Sequence, residues 1–396
     1  MIIREDYLAK IRPFYNKNII KIITGIRRSG KSTLLMQIIN EFRDKGVDEN
    51  NIIHLRFDEY SNKKLLNPNE LSNYINSKIK NKVHYYLFLD EIQEVEQFEK
   101  IVNELNNKGN IDLYLTGSNS TMLASEFATY LTGRYVAFEI FPFSFKEFVE
   151  YKGNNNYDKL FLEYINFGGF PQTLIIDDEF SKKNLLNDLY NSLVIRDIVE
   201  KYNVRDVSLL DSYLKYLLNT MGSLFSATSI SNYLKNEKRN VSRETLYNYR
   251  RYAEDVYFIY ALSRFDIQGK KVLQTNDKLY VNDQGFRNIF FNNQKDIEKI
   301  LENVVYFELL RRGFEVYVGA VGKKEIDFVA IKDGEKKYIQ VTYILALEKT
   351  IEREFGVYKE VLDNFPKYVI STDKFNMSRD GITHLNIIDF LLNPLK

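Results

Sequence analysis

The stretch that most constrains this chain runs from Asn18 to Asp44, "NIIKIITGIRRSGKSTLLMQIINEFRD", where a β-branched segment passes through two glycines into an amphipathic one. The first part reads as a buried parallel strand. In the last, Leu34, Leu35, Ile38, Ile39 and Phe42 fall at helical spacing. Strand, glycine loop and helix in that order make loop N–H groups and a helix N-terminus converge on one point, and the glycines let an anion approach the backbone. G-x-x-x-x-G-K-S in this context is a phosphate site, with Lys31 reaching the β and γ phosphates and the Ser32 hydroxyl ligating Mg²⁺. The candidate binding residues are Gly25, Ile26, Arg27, Arg28, Ser29, Gly30, Lys31, Ser32 and Thr33. Arg27 and Arg28 admit two readings, phosphate contact or exposed charge.

About sixty residues further on, "YYLFLDEIQ" is an apolar run that ends in Asp90 and Glu91. Beside a phosphate loop, two acids at a strand end suit nucleotide hydrolysis: Asp90 holds Mg²⁺, and Glu91 orients or deprotonates the attacking water. A third apolar run, "IDLYLTGSNSTML", closes on Thr116, Gly117, Ser118 and Asn119. There Ser118 or Asn119 senses the γ-phosphate, or the segment caps a following helix; both readings stay open. The Asn/Thr-Lys-x-Asp element that reads guanine is absent, so ATP is the expected nucleotide.

Composition narrows the remaining chemistry. There is no cysteine, and His54, His84 and His384 are too scattered in sequence to suggest a metal cluster, so the work falls to carboxylates, lysines, arginines, hydroxyls and backbone amides. A net charge of +1 sets up no global basic field for nucleic acid. No apolar run approaches the roughly 18 to 20 residues that cross a bilayer, and the opening "MIIREDYLAK" meets charge at once. The expectation is a cytoplasmic protein with no membrane partner. At 396 residues, two or three domains are expected.

Read in order, "GIRRSGKSTLL", "FLDEIQ", "LTGSNSTML", "LTGRYVAFEIFPFSFKEF" and "FGGFP" resemble a prokaryotic family of AAA+-like ATPases related to the archaeal ATPases, along nearly the whole chain. The first two motifs are shared by many unrelated ATPases; the combination of "LTGR…PFSFKEF" with "GGFP" is far more specific. The resemblance implies an α/β chain with a P-loop NTPase parallel sheet, then a helical and winged-helix domain, then a small α/β domain built like the PD-(D/E)XK, restriction-endonuclease-like proteins. It also implies that Arg134 lies near the nucleotide, as a sensor or as an arginine finger across a homo-oligomer interface. The residues themselves show only an arginine after a glycine.

The polar stretch "YKGNNNYD", Tyr151 to Asp158, interrupts the apolar pattern, and the expected division is 1–150, 151–282 and 283–396. Within the middle part, Ser226 to Leu234 and Ser242 to Leu262 read as two helices, and "KKVLQTNDKLYVND" as a strand and turn that form a wing. From 235 to 251, Lys235, Lys238, Arg239, Arg243, Arg250 and Arg251 against Glu237 and Glu244 leave a charge of +4, a density suited to the phosphates of duplex DNA. A solvated helix face, or a lid that only packs, is the alternative. In the last part, Glu302, Asp327, Gln340 and Thr342 fall where PD-(D/E)XK nucleases place a helix acid, a strand Asp and an (E/Q)-x-K pair. With Gln340 for the commoner Glu and Thr342 for the Lys, the metal site is weakened and the cation is missing, so nuclease activity is not expected. The functional expectation is an Mg²⁺-dependent ATP-hydrolysing switch or motor acting on DNA or a protein partner. The alternatives are a nucleotide-regulated binding module without hydrolysis and, against the loss of the lysine, an ATP-dependent nuclease.

Overall fold

A computed structural model of the chain describes residues 2–80, 83–120, 131, 133–236, 239–291 and 296–395. The chain divides into two units, Met1–Phe141 with Asp255–Tyr257, and Pro142–Glu254 with Phe258–Lys396. Among the described residues, no helix is long and apolar enough to cross a membrane.

The first unit is built on β1 (Ile20–Thr24), β2 (Ile52–Arg56), β3 (Tyr85–Asp90), β4 (Ile111–Gly117) and β5 (Tyr135–Glu139), in the order β2-β3-β4-β1-β5. Every pairing is parallel, so all five C-terminal ends share one edge. β1, β3 and β4 are buried along their whole length, which is why they read as unbroken apolar runs. The helix Lys31–Asp44 packs Leu34, Leu35, Ile38, Ile39 and Phe42 with Ile23, Phe88 and Tyr114. The helix Phe98–Asn107 packs Ile101, Val102 and Leu105 with Leu87 and Leu113 in a second core layer. Each of these buried aliphatic or aromatic side chains is worth about 1.5–3 kcal/mol, so the two layers hold the strand ends, and whatever projects from them, in fixed positions. The arrangement is a P-loop NTPase-like fold.

The second unit combines helices with a seven-stranded sheet. Its strands are β6 (Ile259–Asp266), β7 (Lys271–Val281), β8 (Glu315–Val321), β9 (Lys324–Lys332), β10 (Glu335–Val341), β11 (Lys367–Ser371) and β12 (Thr383–Asn386). They run in the order β12-β11-β10-β9-β8-β6-β7. The stretch 270–283, read from the sequence as the strand and turn of a wing, is instead β7. The expected helix 242–262 ends at Asp255, so that 259–262 opens β6. β6 pairs with β7 and, in parallel, with β8, which makes both part of this sheet. Ile259, Leu262, Phe265, Leu279, Tyr280 and Val281 are all buried, and a free wing would leave such side chains in water. The helix Ile297–Arg311 docks on the outer strand through one fully buried amide. Asn303 donates to the Val281 carbonyl and accepts from the Val281 N–H, both at 2.9 Å, as a further strand would.

Both specific motifs of the sequence have structural roles here. Ser144 caps the helix Phe145–Lys152 in a reciprocal box with Glu147. In "FGGFP", Gly168 has φ +74°, and a Cβ there would lie 1.6 Å from Asp283 Oδ1. The Asp283 carboxylate accepts from the N–H groups of Gly169 (2.7 Å) and Gly285 (2.8 Å). Only glycine allows that approach. Burial pushes Asp283 up to about 6 against those two donors.

Candidate active site

The loop between β1 and the helix Lys31–Asp44 opens on Gly25 at φ +137° and closes on Gly30 at φ +99°. A Cβ on Gly25 would lie 2.1 Å from the Ile140 carbonyl oxygen, so packing and dihedral both demand glycine. Arg4, 1% exposed, braces the loop: its guanidinium donates to the carbonyls of Ser29 and Phe141, each at 3.0 Å. Sequence reasoning missed Arg4, because a lone charge near the N-terminus carries no periodic signal. Lys31 Nζ donates to the carbonyls of Gly25 (3.0 Å) and Ile26 (3.1 Å) and lies 3.8 Å from Glu91 Oε1.

β3 delivers Asp90 and Glu91 to the same edge, and Thr116 on β4 ties them together. Its hydroxyl donates to Asp90 Oδ1 and accepts from the Glu91 N–H at 2.9 Å. The Glu91 carboxylate also accepts from Ser118 Oγ at 2.6 Å and from Gln93 Nε2. Burial pushes Glu91 up, but the Lys31 ammonium, the Ser118 and Gln93 donors and the Arg27 charge outweigh it and hold the carboxyl below the ordinary glutamate range. Asp90 moves the other way, raised by burial against the Thr116 and Ser32 hydroxyls. Its Oδ2 is buried without a hydrogen-bond partner, 3.7 Å from Arg56 Nε, which is likewise buried and unsatisfied. An orphaned carboxylate oxygen beside a serine hydroxyl is the donor set a hard divalent cation satisfies, so Ser32 and Asp90 fit Mg²⁺.

The other expected residues divide. Ser118 meets Glu91, whereas Asn119 is buried beyond the end of β4. Ile26 and Ser29 are buried, with Ser29 Oγ unsatisfied; Arg28 at φ +65° and Thr33 are exposed. Arg134 does not join the site within one chain. It precedes β5, its carbonyl accepts from the Ile20 N–H at the start of β1 (2.8 Å), and its guanidinium donates to Asn103 and Asn107, each at 3.1 Å. In a parallel sheet that is the edge opposite the loop, which corrects the expectation of an arginine near its own nucleotide.

In the basic stretch 235–251, Arg250 is committed to Glu254 (2.7 Å) and Asp277 (2.6 Å), and Arg239 donates to Ser208 at 2.8 Å. Lys235, Arg243, Glu244 and Arg251 are exposed; Glu237 and Lys238 lie outside the described residues. The linear count of +4 therefore overstates the charge on offer, since Asp277 comes from β7.

Glu302, Asp327 and Gln340 line a cleft of about 1330 Å³ in the second unit. Asp327 Oδ2 accepts from the Val341 N–H at 2.8 Å. Gln340 accepts from the Asp327 N–H and donates to Glu354, both at 2.7 Å. Gln340 is thus a brace between neighbours. Thr342 is fully buried and donates to Glu298 at 3.2 Å. A lysine from another strand does lie among these acids: Lys278 of β7 places Nζ 2.6 Å from Glu325, 3.6 Å from Glu302 and 3.9 Å from Asp327. Burial disfavours that ammonium, but the carboxylates around it hold it above the ordinary lysine range. No local signal marks Lys278; it sits in a strand far from the acids in sequence.

An AAA domain matches residues 17–149, and a domain of unknown function matches residues 158–297. Over 399 residues the chain is 36% identical to an uncharacterized protein of Haemophilus influenzae, covering 99% of both. Over 408 residues it is 34% identical to the uncharacterized protein MJ1544 of Methanocaldococcus jannaschii, covering 98% of this chain and 88% of that one. Among solved structures, a Walker-type ATPase of Pyrococcus abyssi is 16% identical at a TM-score of 0.47, over 72% of this chain and 94% of that one.

Proposed function

The chain belongs to the family of P-loop ATPases shared with these Haemophilus and Methanocaldococcus relatives, and from that premise we propose that it binds ATP across Gly25–Thr33 and hydrolyses it, as a switch or motor whose second unit acts on DNA or a protein partner. The observation that carries the reading is the meeting of Lys31, Asp90 and Glu91 at one sheet edge, with Glu91 held ionised. In this reading the loop N–H groups grip the β and γ phosphates, and Lys31 exchanges its loop carbonyls for phosphate oxygens. Glu91 then takes a proton from the attacking water, with Ser118 keeping its carboxylate aimed. A new bond forms from the water oxygen to the γ phosphorus, and the bond to the β–γ bridging oxygen breaks, leaving ADP and phosphate. Mg²⁺, held by Ser32 and Asp90, supplies charge neutralisation at those phosphates.

Glu91→Gln tests the assignment: ATP binding should persist while turnover falls about 10²–10⁴-fold. Turnover at the wild-type rate in that variant would remove Glu91 from the mechanism. The same assay with duplex DNA added sorts the targets. Stimulation favours DNA, reached through Lys235, Arg243 and Arg251; turnover indifferent to DNA favours a protein partner. Tight ATP binding by the wild type without turnover would instead favour the non-hydrolysing module. Arg134 acts on nucleotide only from a second copy of the chain, so a role for it requires a homo-oligomer.

A further inference from the structure

The helix Arg243–Asp255 turns Arg243, Tyr247 and Arg251 to one side, since steps of four residues return to the same helix face. Both arginines are exposed, and Tyr247 is 53% exposed. Its ring is nonetheless held in position. It meets Phe225 with centroids 5.5 Å apart, and Phe225 lies under the Arg250 guanidinium at 4.9 Å, which Glu254 and Asp277 tie down in turn. Against the two exposed arginines this helix exposes one acid, Glu244.

A second aromatic surface adjoins Arg251. Tyr252, partly exposed on the same helix, lies parallel to Tyr202, with 9° between the ring planes and centroids 3.8 Å apart. Each ring is bordered by a cation: Lys201 Nζ is 5.5 Å from the Tyr202 centroid, and the Arg251 guanidinium is 5.4 Å from that of Tyr252. Tyr202 arrives there from an uncommon element. The π-helix Leu193–Glu200 runs directly into Lys201 and Tyr202, and π turns are rare and concentrate at functional sites. Partly exposed aromatic rings interleaved with guanidinium and ammonium groups are what an unpaired base stacks on, while the same cations take the phosphates beside it. A duplex keeps its base faces inside its own stack and offers only edges and phosphates, so these rings would gain little from it.

We propose that this face binds an unpaired nucleic acid strand, with bases stacking on Tyr247 and on the Tyr202–Tyr252 pair and phosphates held by Arg243, Arg251 and Lys201. The proposal rests on the reading that the second unit acts on DNA, and narrows it to strands whose bases are open. Arg243 and Arg251 sit two turns apart with Tyr247 between them, so the helix alternates a phosphate contact with a base contact along about 12 Å of its length. Because every base has a π face, the site accepts any sequence and discriminates by pairing state instead.

The test measures fluorescence anisotropy of labelled oligonucleotides with the full chain: oligothymidylate, oligouridylate, a duplex of equal length, and an abasic strand that keeps the phosphates but has no bases. The two base-bearing strands tell DNA from RNA, and preference for either over the duplex and the abasic strand supports the proposal. Tyr252→Ala and, at the more exposed position, Tyr247→Ala should each weaken the base-bearing strand about 5–150-fold and leave the abasic strand unchanged, whereas a misfolded variant would lose both. Tyr252→Phe, which keeps the ring, should restore binding. Replacing Arg243 and Arg251 together by Ala should make the salt slope of single-strand binding shallower by about 1.4, close to 0.7 for each contact. Equal affinity for abasic and base-bearing strands overturns the proposal, as does undiminished single-strand binding in both tyrosine-to-alanine variants. Duplex bound as tightly as single strand overturns it while leaving the DNA reading intact; binding of no nucleic acid overturns both.

Discussion

The first unit brings Lys31 to Asp90 and Glu91 through one loop and one strand end, whereas the second brings Lys278 to Glu302, Glu325 and Asp327 from an outer strand, a helix and an inner strand. Both centres set a buried lysine among carboxylates, yet they are encoded differently. At the strand–loop–helix junction Lys31 and Ser32 are set by one contiguous motif, and only the order of the parallel strands has to be right for the acids at the end of β3 to arrive. In the cleft no two of the contributing elements adjoin, and the distance between Lys278 and Glu302 is set by whatever docks a helix on β7. Asn303 is that device, and it is a core residue with no chemistry of its own.

This contrast breaks if Asn303 proves dispensable. Asn303→Leu leaves the Val281 N–H and carbonyl buried and unpaired, so the loss expected from denaturant unfolding is about 2–5 kcal/mol. A loss below about 1 kcal/mol would mean that apolar packing alone seats the helix, and the cleft would then be no more precisely assembled than any other part of the core. The matching probe of the first unit is Arg4→Ala. It strips the Ser29 and Phe141 carbonyls of charged donors, for an expected cost of about 2–3 kcal/mol. Because Ser29 lies inside the phosphate loop, ATP affinity by calorimetry should also weaken about tenfold, equivalent to about 1.4 kcal/mol. An unchanged affinity would show that the loop holds its shape without the brace.

Legibility in the sequence follows the same line. Gly25 to Thr33, the strand ending in Asp90 and Glu91, and the apolar run ending in Thr116 were all readable, because local periodicity and spacing determine those elements. Arg4 and Lys278 were not, since each is an isolated charge whose partners lie in other elements. Arg134 was misplaced for a different reason: a motif names a residue, but the direction of a parallel strand decides which edge it occupies. The stretch 270–283 reads as a wing strand and turn, and only its pairing with β6 and their buried face show that it belongs to a sheet. The pair Gln340 and Thr342 was read correctly as lacking a lysine, but the supply of charge from another strand lies beyond any local pattern.

The smallest effect concerns the stretch where contiguity misled most directly, the basic run 235–251. Counted along the chain, Arg243, Arg250 and Arg251 are equivalent; in the fold they are not, because Arg250 is tied to Glu254 and Asp277 while the other two are exposed. If this face meets duplex DNA, replacing Arg243 and Arg251 together by Ala removes two phosphate contacts. The slope of log Kobs against log salt should then become shallower by about 1.8, close to 0.9 for each contact. Arg250→Ala should leave that slope alone and instead lower stability by about 1–3 kcal/mol, since it abandons two carboxylates. An unchanged slope in the Arg243 and Arg251 double variant would make the stretch a solvated helix face. A changed slope in Arg250→Ala alone would mean that DNA competes successfully with Asp277 for the guanidinium.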